Sequence, residues 1–291
     1  MNHSMINSLV SMRGLQQKLD IIANNMANLN TTGFKRTEAT FHDVLTTTIQ
    51  QPTTFQQPGR VSPLGLTQGW GAKISSIQTQ MSQGTLKATD LQTDFAIEGD
   101  ALFEVGIPGL DANGQPELRP AWTRDGTFSL NANPADPGFL YLTTKQGHAV
   151  MDINDEPVKI PNNSTIKVDE NGAVLAYNQL TPGAPPAPVT TLKLVQIIRP
   201  QVLEQLGENM YTVPDTVNLQ QLGDVVRTIA TNPPTPETEK IAVRQGFVEQ
   251  SNVNLADEMT ELMLTQRAFQ LNAKALVSAD NMMALTNSLR S

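Results

Sequence analysis

Both ends of this chain carry apolar residues at intervals of seven, which restricts its fold more than any other feature. From Met12 the N-terminal spacings alternate between three and four residues through Leu15, Leu19, Ile22, Met26 and Leu29, with Met5 one heptad earlier. The C-terminal residues that recur seven apart are Leu255, Leu262, Phe269, Leu276 and Met283, and Met259 and Gln266 take the second position of that repeat. This spacing is the seam of a coiled coil. The sequence therefore predicts two long terminal helices that pair with each other.

The ends of these helices carry recognisable signals. Gly33 suits a left-handed residue just past a helix, and Phe34 would then contact Leu29 as in a Schellman ending. Asn254 is a typical N-cap residue, and the acidic residues after it favour a helix start. We predict a helix-capping turn at Gly33 and Phe34 and a second helix that begins near Leu255.

Uncharged amides crowd the helix faces outside the seam. A helix face that meets only water usually carries interleaved Glu and Lys. Amides can form hydrogen bonds in any direction without burying charge, so this face suits a helix surrounded by other helices. The polar interface candidates are Asn24, Asn25, Asn28, Gln266 and Asn272, beside the apolar seam named above. The alternative is an ordinary antiparallel helix pair that closes one globular domain.

The middle of the chain has strand signals in place of helical spacing. Short runs such as "TFSL" and "TLKLVQII" are rich in Phe, Ile, Val, Leu and Thr, and "DENG" at 169–172 predicts a hairpin. A Gln/Pro/Gly-rich stretch around 50–73 predicts an extended arm. We expect a mixed α and β fold, in which N- and C-terminal helices form a coiled-coil-like helical domain beside a central all-β domain and the arm. The predicted segments are 1–36 (helical), 37–74 (arm), 75–230 (β domain), 231–245 (linker) and 246–291 (helical).

Composition and motifs argue against several functions. The net charge of −8 disfavours nucleic-acid binding, and the absence of cysteine excludes disulfides and thiol chemistry. The three histidines are far apart, and no nucleotide-binding, hydrolase or calcium-loop motif is satisfied. We therefore expect no catalytic residues, no metal, no cofactor and no small-molecule substrate. The N-terminus lacks the features of a cleavable secretory signal.

Four segments, in order, resemble the flagellar axial proteins of the hook–basal-body family, and most of all its distal-rod type. They are "LDIIANNMANLNTTGFKR" from Leu19, "QGTLKATDLQTDFAIEGDALFEV" from Gln83, "WTRDGTFSLN" from Trp122 and "VRQGFVEQSNVNLADEMTELMLTQRAFQLNAKALVSADNMM" from Val243. The opening "MNHSMINSLVSMRG" and the pair Ala101-Leu102 depart from the usual pattern. The resemblance covers nearly the whole chain.

The resemblance implies a structural subunit of the flagellar basal body that assembles into a stiff helical tube and transmits torque. Its partners would be copies of itself, neighbouring rod and hook proteins, and the type III export apparatus, which takes chains without a cleavable signal. Alternatives within the family are a proximal rod or hook-type subunit. Outside the family, a secreted coiled-coil adhesin remains a second class, and an enzyme a third.

Overall fold

The computed structural model describes residues 2–43, 46–49, 66–110, 116–132, 136–178, 186–214, 225–229 and 241–289. Residues 44–45 and 50–65 of the predicted arm and residues 231–240 of the predicted linker lie outside these residues. The chain divides into two units. The helix-pair unit comprises 1–27, 37–78 and 254–291, and the central unit comprises 28–36 and 79–253.

The helix-pair unit contains both long helices and four strands. Helix α1 spans Asn2–Ala27 and helix α2 spans Leu255–Ser288. The strands are β1 (Thr37–Asp43), β2 (Thr46–Ile49), β3 (Leu66–Gly69) and β4 (Ala72–Thr79). Strand β1 pairs with β4, and β2 pairs antiparallel with β3. Asn254 caps α2 as predicted, since its side-chain oxygen accepts a 3.1 Å hydrogen bond from the backbone N–H of Ala256.

The expectation of a coiled-coil-like helical domain with an extended arm is wrong. Helix α1 packs against α2 and also against the strands of the unit. A Cβ on Gly14 would lie 3.1 Å from the ring of Phe41 in β1, and Asn7 donates a 2.9 Å hydrogen bond to the carbonyl of Gly69. The described part of the predicted arm forms paired strands because their backbone groups bond to each other. The fold is mixed: two terminal helices and a large central antiparallel β region.

The central unit contains all the remaining described strands. In the first half they are β5 (Leu86–Ala88), β6 (Phe95–Glu98), β7 (Leu102–Leu110), β8 (Pro116–Thr123), β9 (Phe128–Ala132), β10 (Phe139–Thr144), β11 (Ala149–Val150) and β12 (Lys159–Pro161). In the second half they are β13 (Ser164–Val168), β14 (Ala173–Asn178), β15 (Ala187–Thr191), β16 (Leu194–Ile197), β17 (Glu204–Gly207), β18 (Met210–Thr212), β19 (Val226–Ile229), β20 (Ala242–Gln245) and β21 (Phe247–Glu249). A single 3₁₀ turn at Pro200–Val202 interrupts the described strands.

The described strands of the central unit form one large sheet and three smaller ones. The large sheet has the order β12-β10-β11-β7-β8-β18-β17, with β9 on β10 and with β16 pairing both β7 and β19. Strands β13, β14 and β15 form a second sheet, and the hairpin predicted at "DENG" is confirmed between β13 and β14. Strand β20 pairs antiparallel with β6, and β21 with β5.

The core of the central unit is apolar and aromatic. The rings of Phe103 and Phe128 meet edge to face, with their centroids 5.3 Å apart. Val243 of β20 belongs to the same buried cluster. Residues near the C-terminal end of the chain therefore complete the core that the middle of the chain builds.

Candidate functional site: the paired helices and a buried ion-pair junction

The two terminal helices pack against each other in antiparallel fashion. Lys18 of α1 forms a 2.7 Å ion pair with Glu261 of α2, and Asn25 of α1 lies 3.4 Å from the carboxylate of Glu258. The later residue of α1 therefore contacts the earlier residue of α2, as expected for antiparallel helices. The pairing of the chain ends expected from their heptads is present within one chain.

Helix α2 packs on α1 with two rows of residues, each spaced by seven. One row agrees with the predicted seam, and the other lies one residue earlier in the sequence than predicted. The first row is as predicted, and its members Leu262, Phe269, Leu276 and Met283 are half-buried. The second row is Glu258, Thr265, Asn272 and Ala279, three of which are fully buried and one half-buried. Met259, Gln266 and Leu255 are exposed, so their assignment to a contact between subunits stays a prediction.

On α1 and just beyond it, the predicted interface residues differ in burial. Ile22 is fully buried, and the half-buried ones are Met5, Met12, Leu15, Leu19, Met26, Asn28 and Leu29. Asn24 is exposed. A subunit contact for these residues also stays a prediction.

Asn25 has a defined position inside the helix-pair unit. Its side-chain oxygen accepts a 3.0 Å hydrogen bond from the backbone N–H of Thr37, and its side-chain nitrogen donates a 2.9 Å bond to the carbonyl of Thr37. The amide therefore satisfies both backbone groups at the first residue of β1, as a neighbouring strand would. Only Asn or Gln offers a donor and an acceptor in this arrangement, and Asn25 is 1% exposed.

The predicted capping turn is not the end of the helix. Helix α1 ends at Ala27, six residues before Gly33, and the N–H of Gly33 donates to the carbonyl of Glu249 instead of to its own helix. Gly33 does adopt the left-handed conformation, with φ of +69°. A Cβ there would lie 2.5 Å from the backbone nitrogen of Asp125, so close packing of two chain segments requires this glycine. Phe34 is buried in the same region of the central unit.

A buried carboxylate in the central unit holds two buried cations. Glu249 of β21 forms ion pairs with Lys35, at 2.7 Å, and with Arg124. All three side chains are at most 2% exposed. The remaining oxygen capacity of Glu249 is used by the N–H of Gly84, at 2.7 Å. We call Lys35, Arg124 and Glu249 the junction, because they come from three distant parts of the sequence.

The cations of the junction also donate hydrogen bonds to backbone carbonyls. Besides Glu249, the Lys35 ammonium donates to the carbonyls of Met81 and Ser82, at 3.3 and 2.7 Å. The Arg124 guanidinium donates to the carbonyls of Ile97, Gly99 and Ala101. Burial, followed by repulsion from Arg124, lowers the pKa of Lys35, and Glu249 opposes this shift. The charges are costly to bury, so the junction depends on all of these partners being in place.

Asn252 fixes a second contact among distant segments of the central unit. Its side-chain oxygen accepts a 2.7 Å bond from the N–H of Arg36, and its nitrogen donates to the carbonyls of Gln80 and Ser82. The N–H of Gln80 donates in turn to the carbonyl of Arg36, at 2.8 Å. The Asn252 side chain thus connects its own segment, which precedes α2, with Arg36 and with residues 80–82 before β5.

Sequence reasoning missed the junction. It did not connect Lys35, Arg124 and Glu249 with one another. The available signal was weak: Glu249 directly follows the apolar pair Phe247-Val248, and Lys35 directly follows Phe34. Buried charges are rare unless they are paired, so each of these residues required a partner.

The described residues give little support to other kinds of site. Among the described residues, no group of three or more metal-ligating side chains occurs. No described helix has the length and apolar character needed to cross a membrane. The cleft beside Lys35, Asp100 and Arg124 measures about 20 Å³, room for about one water molecule.

Comparison with known proteins identifies the class of this chain. A family described as "Flagella basal body rod protein" matches residues 11–35, and one described as "Flagellar basal body rod FlgEFG protein C-terminal" matches residues 244–289. The flagellar basal-body rod protein FlgG of Borreliella burgdorferi is 32% identical over 96% of this chain and 95% of its own. FlgG of Buchnera aphidicola from Acyrthosiphon pisum is 34% identical over 96% and 98%. The flagellar hook-basal body complex protein FlhP of Bacillus subtilis is 28% identical over the whole of both chains.

The chain belongs to the flagellar basal-body rod protein family. The two matched segments contain α1 from Ser11 onward, the whole of α2, and both Lys35 and Glu249. The segments that the family models match thus contain most of the helix pair and two of the three junction residues.

Proposed function

We infer that this chain is a structural subunit of the flagellar basal-body rod, of the distal type, which acts through assembly and not through catalysis. Copies associate head to tail into a stiff tube, join neighbouring rod and hook proteins, and transmit torque from the motor to the hook. Export through the flagellar type III apparatus is part of the same proposal. The support is the family, whose relatives of nearly equal length are named as rod proteins.

One structural observation supports self-association in particular. Helix α2 uses one face against α1, yet its other faces carry large apolar side chains with 50–66% exposure. They are Met259, Met263, Leu264, Leu271, Val277, Met282 and Leu285. Scattered exposed apolar residues are normal, but seven on one helix of 34 residues form a surface that association would cover. A contact between different surfaces of identical chains produces an open helical polymer.

The experiment is sedimentation velocity of the purified full chain over a rising concentration series. The proposal predicts a concentration-dependent increase in mass without a fixed end point. A Leu264→Gln/Leu271→Gln variant should require a higher concentration to associate, because each change removes apolar surface from the contact. Its helix content by circular dichroism should equal that of the unchanged protein, since both side chains are exposed.

The matched control is Ile198→Gln in the central unit, where Ile198 is 52% exposed. It should associate like the unchanged protein. A chain that stays monomeric at all concentrations, or that forms a closed dimer only, contradicts the assembly proposal.

A second placement in the same complex is favoured by the full-length similarity to the hook-basal body complex protein FlhP. In this placement the chain is a proximal rod or hook-type subunit. Electron microscopy of basal bodies from a strain that lacks the chain distinguishes these positions, because the segment that is missing identifies where the subunit belongs.

A further inference from the structure

An open groove lies within the helix-pair unit between α1 and β4. It measures about 560 Å³, in the size range of grooves that bind sizeable ligands. Its lining residues are Gln17, Asp20 and Ile21 of α1 and Ile74, Ser75, Ser76 and Ile77 of β4. Ile77 is 58% exposed, and the only charged side chain of the lining is the carboxylate of Asp20. Three isoleucines therefore give the groove apolar surface, beside polar side chains and one negative charge.

The exposed side of α2 has complementary properties. No acidic residue occurs between Glu261 and Asp280, whereas Arg267 and Lys274 lie in that interval. Arg267 follows Leu264 by three residues and Lys274 follows Leu271 by three, so the two cations and the two leucines lie along one side of the helix. Among the described residues neither cation has an ion-pair partner. We call Leu264, Arg267, Leu271 and Lys274 the free face of α2.

The free face cannot be covered by the contact that α2 already makes in its own chain. The side of α2 that packs on α1 contains Leu262, Thr265 and Phe269, which are buried or half-buried. Leu264 and Leu271 are 60% and 66% exposed in the same unit. Within the described part of the chain nothing covers the free face or the groove, and every copy of the chain carries both surfaces.

We propose that the free face of α2 in one copy docks into the α1–β4 groove of a second copy. Leu264 and Leu271 pack against Ile21 and Ile77, and Arg267 or Lys274 pairs with Asp20. This proposal rests on the proposed function and names the contact that carries it. The occupant is a second copy because one chain supplies both the groove with its acidic residue and the helix face with its two basic residues. Such a contact leaves one groove and one free face open on each pair, so further copies can add to it.

The first experiment uses charge reversal and rescue, measured by sedimentation at low salt. Asp20→Lys should weaken self-association about tenfold or more, because it places like charges together. Arg267→Glu/Lys274→Glu should weaken self-association to a similar extent. The triple variant, which combines these two changes with Asp20→Lys, should recover most of the lost affinity because opposite charges meet again. Lys167→Glu, an exposed strand position of the central unit, is the matched control and should have no effect.

The second experiment uses the absence of cysteine from the chain, so that introduced thiols are unique. A mixture of Ile77→Cys and Leu271→Cys proteins should form a disulfide-linked pair under mild oxidation. A mixture of Lys167→Cys and Leu271→Cys should not. This measurement holds even if a charge-reversed variant folds poorly.

The results separate this proposal from the one on which it rests. If the unchanged protein associates but the charge variants behave like it and Ile77→Cys does not link to Leu271→Cys, the groove is not the docking site while the assembly function stands. If the unchanged protein does not associate at all, both proposals fail.

Discussion

Replacing Glu249 by Gln is the most informative perturbation of the junction. Gln has nearly the same shape, so the change removes the charge and leaves the space filled. Lys35 and Arg124 then remain buried at 2% exposure or less without the carboxylate that pairs with both of them. Removal of one partner from a buried ion pair costs roughly 3–5 kcal/mol. We expect the free energy of unfolding of the central unit to fall by this amount.

The assay is urea unfolding followed by tryptophan fluorescence, since Trp122 is buried in the central unit. The matched control is Glu98→Gln, which breaks an ion pair with Arg244 whose side chains are 36% and 51% exposed. Exposed pairs contribute about 0–1 kcal/mol, so this variant should unfold almost like the unchanged protein. In a thermal scan the Glu249→Gln variant should melt roughly 6–20 °C lower.

A double variant tests whether the junction acts as one unit. Adding Lys35→Met to Glu249→Gln removes one of the two uncompensated charges, so the double variant should be less destabilised than the sum of the single variants. The difference should be on the order of 1–3 kcal/mol for groups in direct contact. If Glu249→Gln costs no more than Glu98→Gln, or if the two changes are additive, our account of the junction is refuted.

Three further predictions concern single residues. Burial raises the pKa of Tyr211 to about 12, so the stability that its neutral phenol contributes is complete below pH 10 and is lost as the pH rises toward 12. Compared with Tyr211→Phe, the unchanged protein should lose roughly 2–3 kcal/mol more of its free energy of unfolding between these pH values, measured by urea titration. Parallel pH profiles of the two proteins would contradict this prediction. Gly33→Ala should destabilise the central unit by more than about 2 kcal/mol, because the left-handed backbone alone costs about 1–2 kcal/mol and the added Cβ would collide with the backbone of Asp125. The control is Gly138→Ala, whose Cβ would meet nothing within 4 Å, and it should unfold like the unchanged protein. Equal effects of the two changes would refute the packing argument. Asn25→Leu leaves the backbone N–H and carbonyl of Thr37 without their hydrogen-bond partner, so the free energy of unfolding of the helix-pair unit should fall by roughly 2–5 kcal/mol. The measurement is thermal unfolding followed by circular dichroism. A loss under about 1 kcal/mol would contradict this and show that water replaces the amide.

The elements with strong periodicity were predictable from the sequence. The heptads at both ends gave two long helices that pair, and the cap at Asn254 and the hairpin at "DENG" follow from local rules. The rotation of α2 did not follow from hydrophobicity, because its second inward row consists of Glu258, Thr265, Asn272 and Ala279. Glu258 and Thr265 are buried with hydrogen-bond partners, Asn25 and the carbonyl of Glu261, and a hydrophobic pattern cannot express such contacts.

The parts of the site that depend on long-range contacts were not predictable. Lys35 and Glu249 are 214 positions apart, and nothing in either local sequence names the other as its partner. Gly33 was recognised as left-handed, but its reason is the close approach of Asp125 and not the end of a helix. Strands β1 to β3 were assigned to the predicted arm because Gln, Pro and Gly in the surrounding stretch obscured their pairing.

Electron cryomicroscopy of basal bodies tests the central claim most directly. Basal bodies should be purified from a strain that lacks this chain and from the same strain complemented with either the unchanged chain or the Leu264→Gln/Leu271→Gln variant. Our account predicts a truncated rod without the chain, a full rod with the unchanged chain, and a truncated or incomplete rod with the variant. A full rod in the deletion strain, or one of normal length built from the variant, would contradict the account.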